Sequence, residues 1–200
     1  MTNHESVFKQ IGASNHTQKK REENDFYSTD PRTIKNLIEN VRFIGKIWEP
    51  CCGFGCLSIP LIENGESVYS SDLYDHGYGV NGIDFFKQTR MPKGCRNIVT
   101  NPPYKYANDF IKHALSILPN GGVLALFLKT QYLEGIERYE RVYKKTPPTY
   151  ILQYINRVSC KTNARVGDDF GTSAVAYAWY IWQKSSNFNL DTKIKWVKLG

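Results

Sequence analysis

Between residues 44 and 128 short apolar runs alternate with amphipathic segments, and this alternation limits the fold more than any single motif does. The runs at 44–48, 67–71, 98–100 and 123–128 have the length of strands, while 57–64 and 106–118 carry apolar residues at helical spacing. Strands alternating with helices predict crossover units, hence a mostly parallel sheet with helices on both faces. Upstream, Pro31 after Asp30 predicts the start of a helix over 31–41, in which Ile34, Leu37, Ile38 and Val41 repeat with helical period. Pro119-Asn120-Gly121-Gly122 stops the helix over 106–118. A further helix over 134–144 ends before Pro147-Pro148, and 150–156 and 173–182 read as strands, the second alternating around Val175, Tyr177, Trp179 and Ile181. Two late strands joined by a polar loop predict an antiparallel hairpin at one edge of the parallel sheet.

A chain of 200 residues, 41% of them hydrophobic, has the size of one domain and buries a core without a disulfide or metal staple. Residues 1–24 are polar and without period, including the cluster Lys19-Lys20-Arg21-Glu22-Glu23. They are read as an N-terminal arm, with Gly12-Ala13-Ser14-Asn15-His16 as a candidate lid and the folded domain over 25–200. The longest apolar run, 123–128, is too short to cross a bilayer and the N-terminus is polar, so a soluble cytoplasmic protein with no membrane partner is expected. Cys51, Cys52, Cys56, Cys95 and Cys160 are odd in number and form no C-x-x-C pair; neither disulfides nor zinc follow, and reduced, mostly buried thiols do. His4, His16, His76 and His113 also lack metal-ligand spacing, and no metal is expected.

The formal charge of +7 is unevenly placed. Residues 1–137 carry 15 Lys/Arg against 15 Asp/Glu, and residues 138–200 carry 11 against 4. A basic surface attracts polyanions by counterion release, which favours a nucleic-acid partner contacted through the C-terminal third. Solvated lysines at 193, 195 and 198 are the plainer reading of the same excess.

Two places carry chemistry. Glu49-Pro50-Cys51-Cys52-Gly53-Phe54-Gly55 lies between the first strand and its helix, where glycines let backbone approach a ligand. A phosphate loop needs Gly-Lys-Ser/Thr next and a dinucleotide fingerprint a third glycine; Cys56-Leu57-Ser58 supplies neither. Glu49, Asp72 and Asp84 each fall near a predicted strand end, converging on the rim where open α/β sheets bind ligands. Carboxylates suit a positively charged nucleoside, with Asp72 placed for ribose hydroxyls and Asp84 beside Phe85 and Phe86 for an exocyclic amine. The second place is Asn101-Pro102-Pro103-Tyr104, directly after the run at 98–100. The prolines remove two N–H donors and fix two φ angles, making a stiff turn at the strand tip. Asn101 offers a side-chain acceptor, Pro102 a carbonyl and Tyr104 a ring for stacking on a base.

In this order the motifs resemble those of the S-adenosylmethionine-dependent, amino-directed methyltransferases, particularly small adenine-N6 DNA methyltransferases of phages and prophages. The resemblance runs from about residue 12 to residue 182. It implies a single-domain, Rossmann-like methyltransferase fold, S-adenosylmethionine as cofactor and DNA as substrate. Asp25-Phe26-Tyr27-Ser28-Thr29-Asp30-Pro31 looks like the N-terminal cofactor motif, and Tyr27, Thr29, Glu49, Cys51, Gly53, Gly55, Asp72, Leu73, Asp84 and Phe85 are its implied cofactor contacts. Asn101, Pro102, Pro103 and Tyr104 match the catalytic motif. Cys51-Cys52 departs from the pattern, where smaller residues are commoner, and the chain has no room for the large recognition domain of many relatives.

The implied reaction is a direct displacement in which Asn101 and the Pro102 carbonyl hold the amine and Tyr104 stacks on a base flipped out of the duplex. Lys129, Arg138, Lys161 and Arg165 are the candidates for phosphate contact and limited base reading. The same chemistry on RNA adenine stays open. So does a protein glutamine, although about 24 polar residues are too few for the helical recognition domain of glutamine-directed relatives. A catalytically silent nucleic-acid-binding module is the alternative of a different class, against which the intact Glu49, Asp72, Asp84 and Asn101 speak.

Overall fold

The structure, a computed structural model, describes residues 27–186 and 189–200. The polar arm, the candidate lid and Asp25-Phe26 lie outside the described residues. Seven strands form one sheet: β2 (Lys46–Glu49), β3 (Val68–Ser70), β4 (Cys95–Thr100), β5 (Val123–Lys129), β6 (Tyr150–Tyr154), β8 (Tyr177–Gln183) and β9 (Lys193–Val197), in the order β3-β2-β4-β5-β8-β6-β9. Only β8 runs antiparallel to its two neighbours; β2, β3, β4 and β5 are parallel, as are β6 and β9. The expected α/β fold with a mostly parallel sheet and an antiparallel pair toward one edge is the fold observed.

The sheet is covered on both faces because β5 and β8, at its centre, are apolar at nearly every position. Val123, Ala125 and Phe127 of β5 share one core with Ile34, Leu37, Leu57 and Leu61, which come from helix α1 (Thr33–Asn40) and the segment around α2 (Ser58–Glu63). Leu124, Leu126 and Leu128 face the opposite way, packing with Phe110, Ile111, Ala114 and Leu115 of α3 (Ala107–Ile117). Side chains alternate across a strand, so each of these runs feeds two cores at once. Trp179 and Ile181 of β8 join the first core, Ala178, Tyr180 and Trp182 the second.

Three elements differ from the sequence expectation. The helix expected over 134–144 is a short α4 (Ile136–Arg138) running on into a π-helical turn at Tyr139–Tyr143. Beyond the hairpin a further strand, β9, pairs with β6 at the sheet edge and carries Lys193 and Lys195 on an otherwise exposed rim. Lysines on an edge strand oppose further strand addition. The loop between β6 and β8 is not all loop: β7 (Cys160–Lys161) pairs antiparallel with β1 (Ser28–Thr29), placing Thr29 opposite Cys160. This ribbon brings the start of the described chain against the end of β4.

The five cysteines are all free, three of them buried. Among the described residues no helix is long and apolar enough to cross a membrane, and no His/Cys/Asp/Glu group is arranged to hold a metal ion. One turn is sterically demanding. A Cβ on Gly122, at the start of β5, would lie 2.3 Å from the Arg96 carbonyl oxygen and 2.9 Å from that of Pro119. Both are backbone atoms that cannot step aside. Gly122→Ala is therefore expected to lose about 1–3 kcal/mol of stability through overpacking, read as a lower melting temperature in thermal denaturation.

Candidate active site

The sheet order reverses at β2: the chain first places β3 on one side of it and then β4 on the other. In open α/β sheets the crevice beyond the carboxyl ends of strands at such a point is the usual ligand site. A cavity of about 480 Å³ lies there, with Glu49 at the end of β2, Asp72 just after β3 and Asn101 just after β4 in its wall. Tyr27, Thr29, Cys51, Leu73, Asp84, Phe85 and Pro103 also line it. Glu49 and Asn101, about fifty positions apart, thus meet because their strands end together.

Glu49 is 2% exposed. Ser58, the first residue of α2, donates its hydroxyl to Glu49 Oε2 and also meets the Ser70 hydroxyl. Burial pushes the Glu49 carboxyl well above the usual carboxylate range; the Ser58 hydrogen bond opposes that shift and the nearby Asp72 charge adds to it. Ser58 occupies the position where a dinucleotide loop would carry glycine, and its hydroxyl is the reason a side chain belongs there. Sequence spacing marked it only as a missing glycine.

The glycine loop is tied to Asp72. Gly53 N donates to Asp72 Oδ2 at 2.9 Å and Tyr74 N to Oδ1 at 3.1 Å, so this carboxylate fixes two loops while lining the cavity. Gly53 and Gly55 both have positive φ, and a Cβ on Gly55 would lie 2.8 Å from the Tyr78 ring. Burial keeps the Cys51 thiol protonated, its pKa well above the ordinary value, so it presents a small neutral wall. Asp84 accepts from Phe86 N at 3.0 Å and starts the 3₁₀ turn Phe85–Lys87. Phe85 stacks on Phe110 at 4.0 Å between centroids and leans on Trp48 at 5.2 Å, giving an apolar floor.

Asn101 donates from Nδ2 to the Tyr27 carbonyl at 3.1 Å and to Thr29 Oγ1 at 3.0 Å. A carbonyl only accepts, so the NH₂ end is fixed toward Tyr27 and the oxygen toward the other side. That oxygen, Oδ1, is buried and has no hydrogen-bond partner among the described residues. Pro102 is buried and Pro103 half-buried. The Tyr104 ring is half-buried, with its hydroxyl 3.7 Å from Cys160 Sγ and Lys129 Nζ 4.7 Å from the ring centroid. Its carbonyl accepts from the Tyr132 hydroxyl.

None of the basic candidates lines the cavity. Lys129 ends β5 beside Tyr104, and Lys161 in β7 donates to the Asp169 carbonyl at 2.8 Å. The Arg165 guanidinium lies 4.1 Å from the centroid of Phe54, itself a cavity residue. Arg138 instead folds inward, donating to the carbonyls of Gln131 and Tyr132 at 3.2 Å and covering the Tyr132 ring. Sequence reading missed Phe54, His76, Tyr106 and Phe110 as cavity residues. Tyr106 and Phe110 carry a helical spacing that reads simply as core, and nothing in one sequence tells which end of that face opens on a cavity.

No family model matches the chain, and no curated protein matches it. Solved structures do. A Listeria monocytogenes protein described as a class I S-adenosylmethionine-dependent methyltransferase superposes with a TM-score of 0.57 at 10% identity, covering 97% of this chain and 70% of that one. An Agrobacterium tumefaciens protein described as an O-methyltransferase gives 0.54 at 16% identity, over 84% and 85%. The modification subunit described for a type I restriction enzyme of Vibrio vulnificus gives 0.55 at 13% identity, over 97% of this chain and 50% of that one. The fold is therefore the Rossmann-like fold of the class I methyltransferases. At these identities the likeness is one of architecture, and the chemistry rests on the residues of the site.

Proposed function

We propose that the protein transfers a methyl group from S-adenosylmethionine to the exocyclic N6 amine of adenine in DNA, as a small methyltransferase of the phage and prophage kind. The observation that carries this reading is the buried, unpartnered Oδ1 of Asn101, in the same cavity as Glu49. A buried acceptor with no donor costs free energy unless a ligand supplies one. An amine N–H is such a donor.

The cavity fits the cofactor by its own chemistry. The buried Glu49 carboxyl is held off its charged form by desolvation and gains from a cation beside it. Asp72 has accepting capacity beyond its two backbone N–H bonds for ribose hydroxyls, and Phe85 on Phe110 offers a planar apolar bed next to Asp84. The cofactor supplies an electrophilic methyl on a sulfonium. The protein's part is to hold the amine. Asn101 Oδ1 and the Pro102 carbonyl accept its two N–H groups, favour a more pyramidal nitrogen and direct its lone pair, so that fixed acceptors meet the charge as it develops. Tyr104 supplies a ring beside the target base.

DNA is favoured over RNA by the likeness to a restriction enzyme's modification subunit, and Lys129, Lys161 and Arg165 would serve either polyanion. The deciding experiment is transfer of labelled methyl to duplex DNA, single-stranded DNA and RNA, followed by identification of the modified nucleoside. N6-methyladenine in DNA supports the proposal; label confined to cytosine or to protein overturns it. Lys161→Ala with Arg165→Ala is expected to weaken DNA binding and to lower the slope of log affinity against log salt by about 1 to 2. An unchanged slope in a fluorescence-anisotropy titration places the interface elsewhere.

A further inference from the structure

The two ends of the Asn101 amide are opposites in hydrogen bonding, and only one of them can receive an amine. With the amide reversed, the site would present N–H donors to a donor and binding would fail. The backbone at the end of β4 does not settle this, because rotation of the amide plane by half a turn leaves the fold unchanged. Something must hold it.

The structure shows what does. Asn101 Nδ2 reaches Thr29 Oγ1 at 3.0 Å and the Tyr27 carbonyl at 3.1 Å, both on the segment that forms β1. Opposite Thr29 in the β1–β7 ribbon stands Cys160, whose sulfur lies 3.9 Å from Asn101 Nδ2, 4.0 Å from Thr29 Oγ1 and 3.7 Å from the Tyr104 hydroxyl. Both ends of Asn101-Pro102-Pro103-Tyr104 are thus tied to the same two-residue pairing. Thr29 is 2% exposed, which shields these bonds from water. Burial raises the Cys160 thiol to about 11, so near neutral pH it stays an uncharged, weakly polar hub.

We infer that the β1–β7 ribbon, through Thr29 and Cys160, is a positioning device that holds the Asn101 amide with its oxygen toward the acceptor site. The inference rests on the reading of Asn101 as the acceptor of the amine. It makes Thr29 a positioning residue acting through Asn101, its hydroxyl spent on the Asn101 amide in place of the cofactor contact its sequence motif implies. The ribbon also explains why a long loop between β6 and β8 returns to the opposite end of the chain: it delivers a single sulfur to the catalytic turn.

Thr29→Val keeps the shape and removes the acceptor, whereas Thr29→Ser keeps the hydroxyl. Thr29→Val is expected to lower kcat at saturating cofactor by roughly ten- to a hundredfold through misplacement of Asn101. The cofactor Kd should stay within about twofold of wild type and Thr29→Ser within about threefold of its kcat, the pattern of an interaction made toward the transition state. Cys160→Ala should fall between them. A second readout needs no turnover: in the ¹⁵N spectrum, the Asn101 side-chain NH₂ pair, identified by its loss in Asn101→Ala, should exchange slowly with solvent in wild type and in Thr29→Ser. It should exchange at least about tenfold faster in Thr29→Val once the hydrogen bond is gone.

Unchanged kcat and exchange in Thr29→Val overturn the inference. So does equal loss in the Val and Ser variants, or loss of cofactor affinity in step with kcat. The two readings fail separately. A wild type that methylates no adenine defeats the proposed function, while an unprotected Asn101 amide in wild type defeats the clamp whatever the substrate.

Discussion

Asn101→Ala is expected to lower methyl transfer at saturating cofactor by about 10²–10³-fold, the loss seen when one fixed hydrogen-bonding group is taken from a developing charge. Cofactor affinity should survive. Oδ1 is a buried side-chain oxygen of the cavity wall without a partner among the described residues, a state it shares with Ser28 Oγ, and of the two it alone follows directly from β4. The groups suited to the cofactor, Glu49, Asp72 and Asp84, come from the end of β2, the residues after β3 and the start of the 3₁₀ turn at Phe85–Lys87. Losing the side chain also frees the Tyr27 carbonyl and Thr29 Oγ1 from their shared donor. The change in fold stability should still be small beside the change in rate, because Ser28 and Thr29 keep their pairing with Lys161 and Cys160 of β7. Single-turnover transfer and calorimetric titration of the cofactor read the two quantities independently. A parallel loss of cofactor affinity would show that Asn101 serves the cofactor and not the amine.

The sheet was legible where hydrophobic period was long enough to speak. The run that became β5 is apolar from Val123 to Leu128 because both of its faces are covered, β2 and β4 show shorter apolar stretches at Ile47-Trp48 and Ile98-Val99, and Pro119-Asn120-Gly121-Gly122 marked the end of α3 to within a residue or two. Glu49, Asp72 and Asn101 were legible as a set since each closes a strand, and parallel strands end at one rim. The β1–β7 ribbon was not, because a two-residue strand carries no period. β9 carries one, Lys193-Ile194-Lys195-Trp196-Val197, yet four of its five residues are exposed, so the alternation reads equally as a solvated tail. Arg138 shows the limit of charge as evidence: counted among the cations of the basic third, it spends its guanidinium on backbone carbonyls of its own chain. Composition gives the sign of a surface; only geometry tells which charges face outward.

Glu49 yields the other large effect. Its carboxyl is buried, its pKa is raised chiefly by desolvation, and the Ser58 hydroxyl and Asp72 charge act on it in opposite senses. A cation placed beside such a group draws its pKa back down, so binding the cationic cofactor releases a proton. The sign follows. In the pH range below the raised pKa of the empty site, affinity for S-adenosylmethionine should increase as pH rises, by at most about tenfold per pH unit for one proton, and level off above it. S-adenosylhomocysteine, which has no sulfonium charge, should bind with little dependence on pH over the same range. Glu49→Gln removes the charge while keeping the shape, and is expected to cost about 2–5 kcal/mol in cofactor binding, more than about thirtyfold in Kd. Affinity for the neutral analogue should change far less, so the preference between the two ligands collapses. Ser58→Ala removes the hydrogen bond that lowers the Glu49 pKa, and should move the inflection of the affinity profile to higher pH. Calorimetry in buffers of different ionisation enthalpy counts the released proton directly. Equal pH profiles for the two ligands, which share an α-ammonium and differ at the sulfur, would remove Glu49 from recognition of the sulfonium.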